Sequence, residues 1–327
     1  MENSQERLPK VSVILPAYNG EALIYDAIQS VLAQTMDDFE LIVLDDGSSD
    51  NTLRLLQKLS DRRLRVYHHS NIGLPATLNR GISLARGRYI ARLDHDDLMM
   101  PTRLEMQARY LDAHPEVALL GTAAQIFVGS QPSERYHRHP ASNKALRLRL
   151  LFDNPFVHAS VMFRRDVIMA IGGYCTDKSR LPPEDYELWS RVARVHDVAN
   201  LEDVLTVYRE VPGSLSRIGE NPFLEKVLTF STENIYGVVS PTYSVQDCRI
   251  LAEIYHGVEA STSRMSYRRA MRILKLAAAR VSDGQRDTEF VATLQSTRRL
   301  FEFRFSKRWI PQRLLPLARQ IRRRLFK

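Results

Sequence analysis

The first ~110 residues alternate between short apolar runs and segments with helical spacing, and this alternation constrains the fold more than any other feature. The apolar, β-branched runs have the length of strands and read VSVILP, FELIVL, LRVYHH and RYIARL. Between them, segments such as EALIYDAIQSVLAQ repeat apolar residues at helical spacing. Strands that alternate with helices predict a parallel sheet with both faces covered. In such sheets, ligands bind at the carboxyl ends of the strands.

The remainder of the chain divides into a mixed region and a helical region. Short strands are predicted at VALLG, AQIFV, ASVMFR and LTVYRE, and a helix is predicted from PPEDYELWSRVARV. Beyond Pro222 the segments SYRRAMRILKLAAARV and DTEFVATLQSTRRLFEF have helical patterns. We therefore expect an α/β domain over residues 1–217 and a helical C-terminal region over residues 218–327.

Composition excludes several classes of protein. Cys175 and Cys248 lie far apart and match no metal spacing, so we expect no disulfide framework and a reducing, cytoplasmic location. No apolar run reaches the roughly 20 residues of a membrane span, and the first ten residues form no apolar signal segment. We therefore expect a protein that is neither secreted by the usual route nor integral to a membrane.

The net charge of +8 is concentrated at the C-terminus, because no acidic residue follows Glu302 while nine Lys or Arg do. Everything before that tail is nearly neutral, at about −1 (8 − 9). Within the tail, apolar residues recur at spacings of four, three and four, at Leu314, Ala318, Ile321 and Leu325. A basic helix with one apolar stripe is typical of segments that lie in the headgroup plane of a membrane. Packing of the stripe against the enzyme's own body, or binding of nucleic acid by the arginines, are the alternatives.

Three carboxylates follow the fourth predicted strand within four residues, at Asp94, Asp96 and Asp97. Because like charges at this spacing repel one another, the arrangement is most easily tolerated when a cation lies there. Hard divalent cations such as Mg²⁺ and Mn²⁺ prefer oxygen ligands. The alternative is a solvated acidic turn in which Asp97 helps to cap the following helix.

Other polar residues end neighbouring elements. Asp45 and Asp46 close the second strand, where a carboxylate can accept hydrogen bonds from a nucleobase or a ribose. Tyr18 follows the first strand and can stack on a base. Glu184 and Asp185 open a predicted helix, where one of them could be a general base. A helix N-terminus favours the ionised carboxylate, so we expect such a base to act by position more than by a shifted pKa.

Together these motifs resemble the inverting, nucleotide-sugar-dependent glycosyltransferases of family 2, which have the GT-A fold. The resemblance covers roughly residues 9–217. It rests on the order and spacing of VSVILPAYNGEALIYDAIQSVLAQT, FELIVLDDGSSDNT, NIGLPATLNRGISLARGRYIARLDHDD, HASVMFRRDVIMAIGGY and EDYELWSRV. It implies a Rossmann-like, mostly parallel sheet flanked by helices, with a C-terminal helical appendage.

The resemblance also implies roles for individual residues. Those expected to contact the nucleotide-sugar donor are Pro16, Ala17, Tyr18, Asn19, Asp46, Asn71, Asn79, Arg80 and Asp94. Asp96, with Asp94, is expected to hold Mn²⁺ or Mg²⁺. Asp185 is expected to deprotonate the acceptor, with Glu184 beside it, and His158 is a candidate on the acceptor side.

One segment departs from the family pattern. Many relatives read Tyr-Arg-x-His-x-x-Ser-x-Ser after the last strand of the core, whereas this chain reads YREVPGSLS and has Val211 at the histidine position. Arg209, Ser214 or water would have to replace that histidine.

The implied reaction moves a sugar from a nucleotide-sugar, expected to be UDP-linked, to a hydroxyl of a glycan or lipid-linked acceptor, in surface polysaccharide or glycolipid synthesis. The enzyme would be peripheral at the inner face of the cytoplasmic membrane, where its basic tail would meet anionic lipid. The alternatives are a sugar-nucleotide nucleotidyltransferase and a nucleic-acid-binding protein. The first would show a basic, Gly-rich phosphate loop, which PAYNGEALI lacks, and the second leaves the acidic strand ends unexplained. We expect no nucleic-acid partner.

Overall fold

A computed structural model of the chain describes residues 8–210, 222–258 and 260–307. The chain separates into two compact units. The first comprises Met1–Ala141 and Pro155–Pro222, and the second comprises Ser142–Asn154 and Phe223–Lys327.

The first unit contains one sheet, whose strands run in the order β3-β2-β1-β4-β8-β6-β9-β5, with β7 paired to β6. The strands are β1 (Val11–Ala17), β2 (Phe39–Asp46), β3 (Leu64–His69), β4 (Tyr89–Arg92), β5 (Leu98–Met99), β6 (Val117–Val128), β7 (Gln131–His137), β8 (Met162–Arg164) and β9 (Asp197–Glu210). Strands β3, β2, β1 and β4 are parallel, and β8 joins β4 in the antiparallel direction. The carboxyl ends of the four parallel strands therefore share one edge, as predicted.

Helices cover both faces of this sheet. They are α1 (Ile24–Leu32), α2 (Thr52–Leu56), α3 (Leu74–Leu84), α4 (Arg103–Ala113), α6 (Arg165–Ala170) and α7 (Glu184–Val195). Strand β1 shows how the alternation of side chains builds two layers. Leu15 belongs to the core cluster that includes Ile28 of α1, whereas Ile14 packs closely against Gly81 of α3. The α/β prediction is confirmed.

The second unit is helical. It contains α5 (Asn143–Leu150), α8 (Leu224–Val239), α9 (Val245–His256), α10 (Ser261–Arg264), α11 (Tyr267–Ser282) and α12 (Thr288–Ser306). Its core cluster includes Leu148, Leu251, Leu274 and Phe301, all at most 4% exposed. The prediction of helices at the C-terminus is confirmed. Helix α5 belongs to this unit although it precedes residue 217, and its short amphipathic pattern carries no sign of that membership.

Two details lie between α3 and β5. Gly87 follows α3, which ends at Leu84, and does not itself end the helix. It lies so close to β1 that a Cβ would meet the Ser12 nitrogen at 2.6 Å. Asp97 does not cap a helix either, because strand β5 follows it and its carboxylate accepts the backbone N–H of Arg209.

The basic tail lies outside the described residues from residue 308 onward. Within the described part of the chain, no helix combines the length and apolar character that crossing a bilayer requires.

Candidate active site

The loops that follow β1 and β2 are joined by hydrogen bonds. The backbone N–H of Asn19 donates to Ser48 Oγ at 2.9 Å, and the backbone N–H of Ser49 donates to Asn19 Oδ1 at 2.8 Å. Asn19 has a φ of 51°, a left-handed conformation that asparagine tolerates better than most residues. Its amide oxygen therefore organises the loop, while the neighbouring Tyr18 is 49% exposed and available to a ligand.

The loop after β4 packs against the loop after β1. A Cβ at Gly20 would lie 2.6 Å from Cδ2 of His95, which stands between Asp94 and Asp96. Only glycine fits at position 20 without displacing that ring. The three strand-end loops therefore converge on one place.

Both carboxylates at the end of β2 are engaged by donors. Asp45 accepts a hydrogen bond from the Ser48 hydroxyl, and its other oxygen lies 2.7 Å from Nδ1 of His68. Asp46 accepts the backbone N–H groups of Ile72 at 2.7 Å and Gly73 at 3.0 Å. Asp46 therefore holds the turn that begins α3, and it reaches a ligand only through its remaining lone pairs.

The residues predicted near α3 separate into two kinds. The amide of Asn79 donates to the carbonyl of Tyr174 and accepts the backbone N–H of Tyr174, both at 2.8 Å. Asn79 thus fixes Tyr174. Asn71 is exposed and Arg80 is half-buried, so both remain accessible.

The acidic cluster after β4 forms as predicted. Ligand oxygens of Asp94, Asp96 and Asp97 lie within 4.8 Å of one another. A cation was expected beside this cluster, and one cationic group belongs to the chain itself. The Arg92 guanidinium donates to both oxygens of Asp94. Sequence reasoning missed Arg92, although a lone charge inside the apolar run YIARL was a signal. Its side chain is 3% exposed.

The other two carboxylates of the cluster, Asp96 and Asp97, have raised pKa values. Burial and the charge of Asp94 raise the pKa of Asp96, and the same causes raise the pKa of Asp97 further. Asp97 accepts the backbone N–H of Arg209 at 2.8 Å with one oxygen, while its other oxygen is buried without a partner among the described residues. An all-oxygen donor set with an unsatisfied buried oxygen fits a hard divalent cation.

Glu184 and Asp185 begin α7 and are both partly buried. Burial and the charge of Asp185 raise the pKa of Glu184 to about 7, and burial also raises the pKa of Asp185. Asp185 Oδ1 accepts the backbone N–H of Tyr186 at 2.7 Å, which favours its ionised form. Contrary to the expectation that the base would act by position more than by a shifted pKa, desolvation raises the pKa of both carboxyls.

Three rings adjoin the pair. His158 Nε2 lies 2.9 Å from the Tyr174 hydroxyl, and His158 Nδ1 lies 3.9 Å from Glu184 Oε1. Trp189 packs edge-on against both rings from the next turn of α7. Burial lowers the pKa of His158 well below its usual value, so the imidazole is neutral. Sequence reasoning named His158 but missed Tyr174 and Trp189.

Arg209 lies at the end of β9 and is 7% exposed. Its Nη2 donates to Asp26 at 3.1 Å, whereas Nε and Nη1 are buried without partners in the described ranges. Val211 and Ser214 lie outside those ranges.

This α/β sheet carries two acidic clusters, and comparison with known sequences identifies the family to which the chain belongs. Residues 12–172 match the family described as "Glycosyl transferase family 2". An uncharacterized glycosyltransferase of Haemophilus influenzae is 31% identical over 77% of this chain and 82% of its own length. The amylovoran biosynthesis glycosyltransferase AmsE of Erwinia amylovora is 35% identical over 61% of this chain and 75% of its own length. The chain belongs to glycosyl transferase family 2 and is a glycosyltransferase rather than the sugar-nucleotide nucleotidyltransferase considered as an alternative.

Solved structures agree on the fold. S. aureus TarS 1-349 in complex with UDP-GlcNAc has a TM-score of 0.60 at 17% identity and covers 92% of both chains. The mannosyltransferase PcManGT from Pyrobaculum calidifontis, in complex with GDP-Man and Mn²⁺, has a TM-score of 0.52 at 16% identity, over 97% of this chain and 87% of that one. The predicted GT-A fold is confirmed.

Proposed function

We propose that this enzyme is an inverting glycosyltransferase that transfers a sugar from a UDP-linked donor to a hydroxyl of a glycan or lipid-linked acceptor, in surface polysaccharide or glycolipid synthesis. The observation that carries the proposal is the pairing of two acidic clusters with different electrostatics at one edge of the sheet. One cluster, at Asp94–Asp97, has the oxygen ligands for a metal–diphosphate. The other, Glu184 with Asp185, has carboxylates whose pKa values lie nearer neutrality, where a general base works best. AmsE, which acts in amylovoran biosynthesis, supports the choice of pathway, and TarS with UDP-GlcNAc supports the choice of donor.

The donor would lie across the ends of β1, β2 and β4. Tyr18 would stack on the base, with the backbone of Pro16 and Ala17 beside it, and Asp46 would accept a ribose hydroxyl through its remaining lone pairs. Asn71 and Arg80 are accessible for further contacts. Asn79 would support the site indirectly, because its amide is bound to the backbone of Tyr174, and Asn19 would do so through its amide oxygen, which accepts from the loop after β2. Asp94 is paired with Arg92 and would reach the donor or the cation only through its remaining lone pairs.

A divalent cation, Mn²⁺ or Mg²⁺, would be held by Asp96 with Asp97 and Asp94 beside it, and would neutralise charge on the departing nucleoside diphosphate. Mn²⁺ in PcManGT supports this choice.

The acceptor hydroxyl would lose its proton to Asp185 as its oxygen attacks the anomeric carbon. The bond to the diphosphate oxygen breaks on the opposite side, so configuration inverts in one displacement without a covalent enzyme intermediate. The chain's own contribution is to place the base and exclude water, which burial of the Glu184–Asp185 pair favours.

A panel of nucleotide sugars, scored for hydrolysis and transfer with and without Mn²⁺, tests the proposal. We expect one UDP-sugar to be consumed only with metal. Consumption of a GDP- or dTDP-sugar instead would change the assigned nucleobase, and metal-independent turnover would overturn the cation assignment.

We also propose that the enzyme is cytoplasmic and bound to the inner face of the membrane through its tail. Helix α11 supports an anionic surface as partner, since Arg268, Arg272 and Lys275 are exposed at spacings of four and three and the helix has no acidic residue. Each Lys or Arg at an anionic surface contributes about 1 kcal/mol.

Sedimentation with anionic and neutral vesicles tests the location, using the full chain and a chain ending after Lys307. We expect salt-sensitive pelleting of the full chain only with anionic vesicles. Equal pelleting of both chains would assign binding to the helical unit rather than to the tail, and no pelleting would refute the membrane partner.

A further inference from the structure

Resting on the proposed function, we propose that His158 is a positioning residue for the catalytic pair, and that Tyr174 fixes its tautomer so that Nδ1–H faces Glu184. The inference follows from the backbone that carries His158, from the partner of each ring nitrogen and from the charges around Glu184.

The backbone beside His158 is held rigidly. His158, Ala159 and Ser160 form a short 3-10 turn before β8. Arg103 of α4, which is fully buried, donates to the carbonyl of Ala159 at 2.8 Å, and Gln107 donates to that of Ser160 at 2.9 Å. These hydrogen bonds fix the backbone that carries His158, so the imidazole has little freedom to move with it.

Tyr174 is held equally firmly. Its backbone N–H and carbonyl both bind the amide of Asn79. The preceding Gly173 has a φ of 67°, and a Cβ there would lie 2.5 Å from the Asn79 oxygen. The phenol is 2% exposed. These backbone contacts therefore fix the position of Tyr174.

The partners of the imidazole determine its tautomer. A buried phenol must find an acceptor for its O–H, and the acceptor that the described residues offer Tyr174 is His158 Nε2, at 2.9 Å. Burial raises the pKa of Tyr174, so the phenol keeps its proton. With Nε2 accepting, the single proton of the neutral imidazole lies on Nδ1.

The Nδ1–H then faces Glu184 Oε1 across 3.9 Å. That separation exceeds a hydrogen bond and closes through a side-chain rotation or one bridging water when the acceptor binds. The other charges that act on Glu184 are those of Asp185, Arg92 and Asp94. The imidazole is a neutral donor, so it stabilises ionised Glu184 without bringing a formal positive charge beside the pair.

Two variants separate the ring nitrogens. His158→Asn keeps an amide near the position of Nδ1, whereas His158→Gln keeps one near the position of Nε2. Tyr174→Phe removes the tautomer constraint and preserves the ring. His114→Gln, at the end of α4 where the imidazole is 44% exposed, is the matched control.

The experiment measures kcat against pH for these variants, with the donor that the panel identifies. In this proposal the productive form has both carboxylates ionised, so the rising limb of the kcat–pH profile reports the ionisation of Glu184. We expect that limb to move up by about one pH unit in His158→Gln, and less in His158→Asn. Tyr174→Phe should also move the limb upward, whereas His114→Gln should not. KM for the donor should stay unchanged. A limb that does not move in His158→Gln, or equal losses in both His158 variants together with a lowered Tm, would overturn the positioning role.

A second measurement does not depend on turnover. ¹⁵N NMR of histidine-labelled wild-type enzyme, compared with Tyr174→Phe, reports which nitrogen of His158 carries the proton. We expect Nδ1–H in the wild type, and a proton on Nε2 would overturn the inference.

Asp185→Asn, assayed in parallel, keeps the two proposals apart. An active Asp185→Asn refutes the proposed base. An inactive Asp185→Asn with an unmoved limb in His158→Gln refutes only the role of His158.

Discussion

Two pairs of adjacent acidic residues, Asp45–Asp46 and Glu184–Asp185, lie in the same unit and have opposite environments. At the end of β2, the carboxylates accept hydrogen bonds from a hydroxyl and from backbone N–H groups, and they contact histidines on β3. At the start of α7, burial dominates and raises the pKa of both carboxyls. His158 lies 3.9 Å from Glu184, beyond hydrogen-bonding distance.

The difference teaches how a carboxylate becomes structural or reactive. Donors that surround a carboxylate lower the energy of its charged form and commit its lone pairs to the fold. Burial that outweighs the donors keeps the charged form at high energy and favours uptake of a proton. In the proposed mechanism, the first pair therefore shapes the donor side of the site and the second pair supplies the general base.

The largest expected effect is that of Asp185→Asn. The amide cannot accept the acceptor's proton, so kcat should fall by about 10²-fold or more while KM for the donor stays similar. Steady-state kinetics, with Glu184→Gln in parallel, check this. Should Glu184→Gln lose its rate while Asp185→Asn does not, the base is Glu184.

Asp96→Ala should affect binding next most strongly. Removing the proposed cation ligand should weaken UDP binding in Mn²⁺ by roughly 10–100-fold, and leave binding without metal unchanged. Calorimetry with and without Mn²⁺ measures the difference. Equal affinities of the wild type and Asp96→Ala in Mn²⁺ would place the metal elsewhere.

Glu184→Gln should alter stability in a pH-dependent way. The folded-state pKa of Glu184, about 7, lies above the ordinary value of 4.5, so the folded protein favours the protonated form. The stability that this proton contributes is fully present below about pH 4.5 and is lost as pH rises through 7. Since glutamine cannot ionise, Glu184→Gln should become more stable than the wild type by about 3 kcal/mol at pH 8, and by less than about 1 kcal/mol at pH 5. Urea unfolding at both pH values checks the sign, and a larger gain at pH 5 would contradict the burial argument.

Asp46→Asn should show the smallest effect, mainly on stability. One of the two backbone N–H groups at Ile72 and Gly73 would lose its acceptor, which costs about 1 kcal/mol. Thermal unfolding and donor kinetics separate the outcomes. A loss of kcat as large as that of Asp185→Asn, with Tm unchanged, would contradict the distinction between a structural pair at the end of β2 and a reactive pair at the start of α7.

Much of this arrangement could be predicted from sequence, because it depends on local pattern. Apolar, β-branched runs of strand length predicted β1 to β4, and the topology of a parallel sheet brought Asp46 and Asp94 to one edge. The pKa of Glu184 could not be predicted, since it depends on how deeply the start of α7 is buried. The lone charge of Arg92 inside an apolar run was visible in the sequence, but its pairing with Asp94 depends on side-chain geometry that the sequence does not give. Asn79 binds the backbone of Tyr174, which lies 95 residues further along the chain, so no local sequence pattern predicts this contact.

The central claim is that a hydroxyl deprotonated by Asp185 displaces the nucleotide in one step. The most direct test is ¹H NMR of the first product formed by the wild-type enzyme from the donor that the panel identifies. The account predicts that the anomeric configuration is inverted relative to the donor from the first turnover, and that Asp185→Asn yields no such product while still binding UDP in Mn²⁺. A first product with retained configuration would contradict the account, because it requires a second displacement for which a lone base at Asp185 does not suffice.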